Sequence, residues 1–304
     1  MSTPTAPTGR ADVRAASTAE EAPAREVVVG VDGSECALGA VRWAAREAAR
    51  RGAPVRVVHA APYLSRRGPT GAPPPELARA RSITAVAYTV ARHSAPEVRT
   101  STEVVPGDPT TSLLRATAAG QLVVLGSSTT GAADELVLAP VALRVAARSP
   151  QPVVVVPRRR GGEPSGRPMV AVLGVGDRED DEVVATFAST YALRSGVGLS
   201  VLQTRPAGRD VSDSWVSDAE EWARRFPGLD VDLRALPNGR ANQVLMAACP
   251  TPLIAISAGR GHLMNRTLDS PHRWLLRHCT SPMALIPPMH RADPDIREES
   301  AAFA

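Results

Sequence analysis

Lysine is absent from the 304-residue chain, and all 35 basic residues are arginine. The absence excludes a P-loop lysine, a Schiff-base lysine and a lysine general base. Aromatic residues make up only 3% of the chain, so its cores must be built from valine, leucine, isoleucine and alanine. No GxSxG elbow, HExxH motif or CxxC pair is present. The sequence therefore lacks the local signatures of the common hydrolases, zinc proteases and redox proteins.

The cysteines, Cys36, Cys249 and Cys279, are odd in number and scattered, which fits neither a disulfide framework nor a metal site. This usage is typical of a reducing cytoplasm. The first 24 residues lack the apolar core of a signal peptide, and no apolar run reaches the roughly 18 residues of a membrane span. We therefore expect a cytoplasmic protein with no membrane partner.

Charge is nearly balanced, with 35 basic and 31 acidic residues and a net charge of +4. So small an excess indicates a mixed solvated surface and does not predict a nucleic-acid partner.

A valine-rich stretch, residues 25–34 (REVVVGVDGS), organises what is present. An unbroken apolar run of this length is typical of a strand buried on both faces, as in a parallel sheet covered by helices. The run ends at Asp32, followed by a Gly-Ser turn and a helical pattern. Open α/β sheets bind ligands at the carboxyl ends of their strands, so Asp32 is the first candidate site residue.

Strands and helices alternate twice along the chain. The predicted strands cover residues 26–32, 54–60, 98–105, 122–125, 153–156, 169–173, 198–203, 231–235, 252–257 and 283–286. Predicted helices between them include residues 76–93, 140–148, 179–194, 212–226, 239–248 and 267–279. This alternation predicts an α/β fold with two tandem, doubly wound, five-stranded parallel-sheet domains.

Short internal matches support the repeat. The motif QPVVVVP at residues 151–157 matches SPMALIP at 281–287, and Pro106-Gly107 matches Pro237-Asn238-Gly239. By composition we predict a tail at 1–24, a first domain at 25–158, a linker at 159–167, a second domain at 168–288 and a tail at 289–304. Two such domains in one chain predict an intramolecular pseudo-dimer.

The first half resembles a universal stress protein domain. The resemblance rests on residues 25–60, the GDP motif at 107–109, LVVLGSS at 122–128 and PVVVVP at 152–157. It is weaker in the second half, where it rests on element order and the SPMALIP ending. The resemblance implies a strand order of 3-2-1-4-5, similar to adenine-nucleotide α-hydrolases, with a crevice where the first and fourth strands end.

In ATP-binding members of that family, the aspartate at the Asp32 position contacts adenine or a nearby group. The phosphates are held by a loop of pattern G-x2-G-x9-G-[ST]. Gly126 matches the first glycine, but Thr129 stands at the second and Ala139-Pro140 at the final pair. Proline has no N–H to donate, and threonine resists a left-handed backbone. Losing two charge-assisted bonds would weaken binding by roughly two to four orders of magnitude.

The candidate nucleotide site, for ATP or another adenine nucleotide, consists of Asp32, Gly126, Ser127, Thr129 and Gly131. Gly131 enters because a shifted register could let it replace the second loop glycine.

The second half departs further from the family pattern, since we align Leu173 with Asp32. Its glycines Gly259 and Gly261 flank Arg260, which predicts either an anion nest or an ordinary surface turn. His59 and His278 have no carboxylate or cysteine at ligand spacing, so we predict no metal site.

Three functional hypotheses follow. In the first, the chain is a non-catalytic regulatory or interaction module that binds ATP poorly and acts through protein partners or self-association. In the second, the first half is an adenine-nucleotide sensor or slow ATPase that uses Asp32 and Gly126. In the third, the chain is an enzyme of the wider adenine-nucleotide α-hydrolase group, although the SGGxDS-type phosphate loop of its pyrophosphatase branch is absent.

Overall fold

The computed structural model describes residues 25–65, 75–118, 120–127, 140–158, 169–174, 178–205, 224–237, 250–258 and 270–288. The first half contributes strands β1 (Glu26–Gly30), β2 (Val55–Ala61), β3 (Thr100–Pro106), β4 (Gly120–Ser127) and β5 (Val153–Pro157). Its helices are α1 (Glu35–Arg51), α2 (Pro75–Ser94), α3 (Pro109–Thr117) and α4 (Pro140–Ala146), with a 3-10 turn at Pro62–Ser65.

The second half repeats the alternation. Its strands are β6 (Met169–Gly174), β7 (Gly198–Arg205), β8 (Val231–Pro237), β9 (Ile254–Ser257) and β10 (Met283–Ile286). Its helices include α5 (Arg178–Ser195) and α6 (Ser270–His278). The helix predicted over 239–248 and most of that over 212–226 lie outside the described residues.

The ten strands in the described ranges belong to one sheet, in the order β3-β2-β1-β4-β5-β10-β9-β6-β7-β8. Each half thus follows the predicted order 3-2-1-4-5, and pairing within each half is parallel. The two five-stranded parallel sheets are joined edge to edge, because β5 and β10 hydrogen-bond to each other. The domain boundaries at 25–158 and 168–288 stay predictions.

The junction between the halves is a strand pair with two-fold character. β5 and β10 run antiparallel, with Val154 opposite Ala284 at the centre. Val153 lies opposite Leu285, and Val155 lies opposite Met283, so each strand makes equivalent contacts with the other. An isologous contact of this kind is what a symmetric dimer forms, here within one chain. It also covers two sheet edges that would otherwise be open to other strands.

Helix ends follow the sequence signals. Ser34 caps α1, its Oγ accepting a hydrogen bond from the Ala37 N–H at 3.2 Å. Gly52 ends α1 in the left-handed conformation with φ 61°. Asp108 caps α3 and Pro109 occupies its first turn, as predicted. These caps aim the amino ends of α1 and α3 at the carboxyl edge of the sheet.

Helices α1 and α5 pack together on one face of the sheet and join the halves a second time. Trp43 stacks on Tyr191 with ring centroids 6.2 Å apart and an interplanar angle of 3°. The Arg51 guanidinium lies 5.6 Å from the centre of the Phe187 ring, a cation–π contact. The two halves therefore share one apolar core that continues across the junction.

A buried ion pair lies beside these rings. Glu47 is fully buried, and its carboxylate accepts a hydrogen bond from Arg51 Nε at 2.6 Å. Arg51 also donates to Gln121 Oε1 at 3.2 Å, which links α1 to β4. Burial, and after it the negative charge of Glu47, raise the pKa of Tyr191. The junction thus combines apolar packing with a buried carboxylate, Glu47, that is paired with Arg51.

Candidate functional site

The first-half crevice forms where the sheet order reverses. β1 lies between β2 and β4. After β1 the chain builds β2 and β3 on one side of it, and then returns to build β4 and β5 on the other side. Gly30 of β1 pairs with Leu125 of β4, so residues 31–34 and 126–127 lie together at the carboxyl edge. This is the position where open α/β sheets place their ligands.

Asp32 lies at the mouth of this crevice and is exposed. Its Oδ1 accepts a hydrogen bond from the Ser34 N–H at 2.9 Å, which fixes the carboxylate against the start of α1. Gly33 between them has φ 89°, so the turn needs glycine. The structure therefore holds Asp32 in place while leaving its carboxylate accessible to a ligand.

Gly126 has a packing role that the motif did not predict. A Cβ at this position would lie 2.5 Å from the backbone carbon and oxygen of Cys36 and 2.7 Å from the Ala37 nitrogen. Its φ is not in the left-handed region, unlike that of Gly33. The glycine is thus needed because β4 closely approaches the first turn of α1.

Ser127 follows on the opposite face of the sheet, since successive side chains of a strand alternate. It is 1% exposed, and its Oγ has no hydrogen-bond partner in the described part of the chain. Buried hydroxyls normally have a partner, so Ser127 stays a candidate for a bond to a ligand or to a residue outside the described ranges.

Two further side chains near the crevice were not singled out as site residues. Cys36, in the first turn of α1, is buried, and this burial raises the pKa of its thiol; the positive charge of Arg158 partly opposes the effect. Arg158 is exposed and follows β5 directly. Their place in the sequence could have identified both residues, because Cys36 follows the turn after β1 and Arg158 follows β5. No motif marks either residue.

His59 is engaged in the fold rather than free for catalysis. It is buried, and its Nδ1 lies 2.8 Å from the Val31 carbonyl oxygen, so this nitrogen donates the hydrogen bond. The bond fixes β2 against the end of β1. Across the described ranges, no group of three or more histidine, cysteine or acidic side chains could hold a metal ion.

The capped end of α3 faces the same edge of the sheet. Asp108 Oδ2 accepts hydrogen bonds from the Thr111 N–H at 2.9 Å and its hydroxyl at 3.1 Å. The N–H bond is the main cause that lowers the pKa of Asp108. Gly107 before it has φ 120°, which favours glycine.

The strand registers align the two halves residue by residue. Val27 of β1 pairs with Val55, and Val170 of β6 pairs with Leu199. Val55 and Leu199 each lie three residues after the left-handed glycine that ends the preceding helix. Val27 and Val170 are therefore equivalent positions.

The alignment of Leu173 with Asp32 was wrong. The register makes Leu173 the counterpart of Gly30, and counting on by two residues puts Val175 at the Asp32 position. Val175 lies outside the described residues. The error arose because two valine-rich runs can slide along each other in sequence, whereas pairing with a neighbouring strand fixes them. Neither alignment supplies a carboxylate.

The first loop glycine is also replaced in the second half. Leu173 pairs with Ile256 as Gly30 pairs with Leu125, so Ser257 is the counterpart of Gly126. A side chain therefore stands in the second half where the first half permits no Cβ. The nest candidates Gly259, Arg260 and Gly261 lie outside the described residues, as do Thr129 and Gly131, and all five stay predictions.

Comparison with known proteins agrees with this geometry. A family model described as the universal stress protein family matches residues 23–157. The first half of the chain belongs to the universal stress protein family. A universal stress protein of Mycolicibacterium smegmatis is 26% identical over 288 residues, covering 86% of this chain and 97% of its own length. The match to this relative therefore extends through both halves.

Two further relatives differ in how much they cover. A universal stress protein of Mycobacterium tuberculosis is 37% identical over 102 residues, which is 33% of this chain and 37% of that protein. The crystal structure of a universal stress protein from Archaeoglobus fulgidus aligns with TM-score 0.66 at 14% identity, covering 86% of this chain and 98% of that one. The structural match supports the same fold over both halves.

No helix in the described ranges combines the length and the apolar character required to cross a bilayer.

Proposed function

We propose that this universal stress protein is a non-catalytic, cytoplasmic stress-response module whose first-half crevice binds adenine nucleotides only weakly. The observation that carries the proposal is Pro140, which is the first residue of α4. In the family pattern this position is the final serine or threonine of the phosphate loop. A helix normally offers N–H groups to an anion at its amino end, and proline at the first position removes one of them.

The polar groups that remain in the crevice favour weak nucleotide binding rather than a complete loss of binding. Asp32 is exposed and held by the Ser34 N–H, and Ser127 Oγ is buried without a partner in the described ranges. These groups suit the polar parts of an adenosine. The crevice thus offers contacts for the nucleoside but has lost donors for the phosphates.

The non-catalytic part of the proposal is supported by the state of the reactive side chains. Burial raises the pKa of the Cys36 thiol, which disfavours the nucleophilic thiolate. The Nδ1 of His59 is bonded to a backbone carbonyl. Both Cys36 and Cys279 are free thiols, as a reducing cytoplasm favours.

A second candidate function, an adenine-nucleotide sensor that uses the first half, is favoured by the exposed carboxylate of Asp32. The two candidates differ in affinity. Isothermal titration of magnesium-ATP into the parent should give no low-micromolar binding under the first proposal. Low-micromolar binding that Asp32→Ala abolishes would establish the sensor instead, and turnover of ATP above background would establish an enzyme.

Repairing the loop gives a sharper test. The variant Thr129→Gly/Ala139→Gly/Pro140→Ser restores the family pattern and should raise ATP affinity by roughly two to four orders of magnitude. The matched control adds Asp32→Ala to the repaired loop and should lose most of that gain. If the repaired variant binds no better than the parent, the loop is not what limits binding.

A further inference from the structure

The exposed side of α1 carries three arginines at intervals of four residues. Arg42, Arg46 and Arg50 are all exposed. Residues four apart lie on the same side of a helix and about 6 Å apart along its axis. Gly39 lies one turn before Arg42 on the same side. We call these four residues the arginine face.

The charge on this face is largely uncompensated. Arg50 Nη1 lies 3.5 Å from the buried Glu47 carboxylate, a long contact. Arg42 and Arg46 have no hydrogen bond or ion pair within the described part of the chain. Neither has an acidic residue three or four positions away on α1. Like charges at this spacing destabilise a helix, so the fold gains nothing from placing them together.

The packing of the chain does not require glycine at position 39. A Cβ at this position would meet no atom within 4 Å, in contrast to Gly126. Glycine in the middle of a helix lowers its stability relative to alanine. What glycine does provide on an open surface is room for another backbone to approach closely.

The equivalent side of α5 is different. Aligning the two helices at their terminal glycines, Gly52 and Gly196, puts Val183 at the Gly39 position and Thr186 at the Arg42 position. Val183 and Thr186 are both buried. Thr190 takes the Arg46 position, whereas Arg194 takes the Arg50 position and is exposed. Arg42 and Arg46 are therefore particular to the first half and are not a requirement of the shared fold.

We propose that the arginine face binds an acidic helical segment of a protein partner. Carboxylates four residues apart on the partner would oppose Arg42, Arg46 and Arg50 in register. Gly39 would let the partner backbone come close at one end of the contact. The surface lies on the outer side of α1, so the proposal does not depend on nucleotide binding in the crevice.

The test uses a fluorescein-labelled, alanine-based peptide with glutamate at every fourth position, followed by anisotropy at low ionic strength. The full chain should bind it saturably. Arg42→Gln/Arg46→Gln should weaken binding by about threefold to thirtyfold, the effect of two exposed charge pairs. The control, Arg79→Gln/Arg81→Gln on α2, removes the same charge from two other exposed arginines and should leave affinity within about twofold.

Gly39→Leu separates contact from charge. Because the site around Gly39 is open, this variant should melt at the same or a higher temperature than the parent, yet bind the peptide more weakly. Equal affinity of the parent and Arg42→Gln/Arg46→Gln, or no saturable binding to the parent, would overturn the proposal. So would arginine-dependent binding of a DNA oligonucleotide or phosphatidylserine vesicles without binding of the peptide.

Discussion

The two halves of this chain share one strand order, yet equivalent positions hold residues of opposite character. In the first half, Asp32 and Gly126 define a crevice with a carboxylate and a close backbone approach. In the second half, valine and Ser257 occupy those positions. The comparison indicates that the repeat preserves the sheet and its central junction, while the aspartate and the first loop glycine of the family pattern are present in one half only.

The helices at the junction differ in the same manner. Alignment at the terminal glycines makes Tyr191 the counterpart of Glu47, and Phe187 the counterpart of Trp43. One helix therefore contributes a buried carboxylate where the other contributes an aromatic ring. A symmetric dimer could not combine a carboxylate with an aromatic ring at these two equivalent positions, because both copies would carry the same residue there. Joining the halves in one chain allows it.

The largest expected effect comes from breaking the junction at Glu47. Glu47→Ala leaves Arg51, whose side chain is 6% exposed, without its carboxylate. Removing one partner of a buried ion pair costs about 3–5 kcal/mol, so unfolding in urea should shift strongly. Tyr191→Phe at the equivalent position removes only a hydroxyl and should cost about 1 kcal/mol. Similar costs for both changes would contradict the asymmetry.

A medium effect is expected at the glycine that shapes the crevice. Gly126→Ala forces β4 away from the first turn of α1 and should cost about 1–3 kcal/mol. Gly39→Ala fills open space on the same helix and should stabilise by about 0.5–1 kcal/mol. Thermal melts of the two variants should therefore move in opposite directions. A neutral Gly126→Ala would mean that the crevice can widen without strain.

The smallest effect concerns the cap of α3. Asp108→Asn keeps an acceptor for the Thr111 N–H but removes the charge. A carboxylate with a lowered folded-state pKa contributes stability above its unfolded pKa, and this is lost as pH falls through the folded value. The melting temperatures of the parent and the variant should thus differ at neutral pH and converge below about pH 4. The matching stretch of the second half, residues 238–240 (NGR), has no carboxylate.

Much of the fold could be predicted because local signals agree with it. The valine-rich strands, the caps at Ser34 and Asp108 and the terminating Gly52 all depend on residues near one another in sequence. The repeated motifs gave the correct equivalence of β5 and β10. Repeated local hydrogen bonds support this equivalence further. The side chain of Ser149 bonds to the backbone of Gln151, and the side chain of Cys279 bonds to the backbone of Ser281 in the same way.

What could not be predicted depends on distant pairing. The antiparallel contact of Val154 with Ala284 joins residues 130 positions apart, and an apolar run alone does not specify its neighbour. Gly126 was assigned to phosphate binding by motif, whereas its neighbour Cys36 determines why it must be glycine.

The central claim is that two halves of one fold hold one partly preserved nucleotide crevice. Titration of magnesium-ATP into the full chain up to millimolar concentration, with the bound amount measured directly, tests it most closely. The account predicts weak binding, no more than one ATP per chain, and loss of that binding in Asp32→Ala. Two equivalent sites, or one site of low-micromolar affinity, would contradict it.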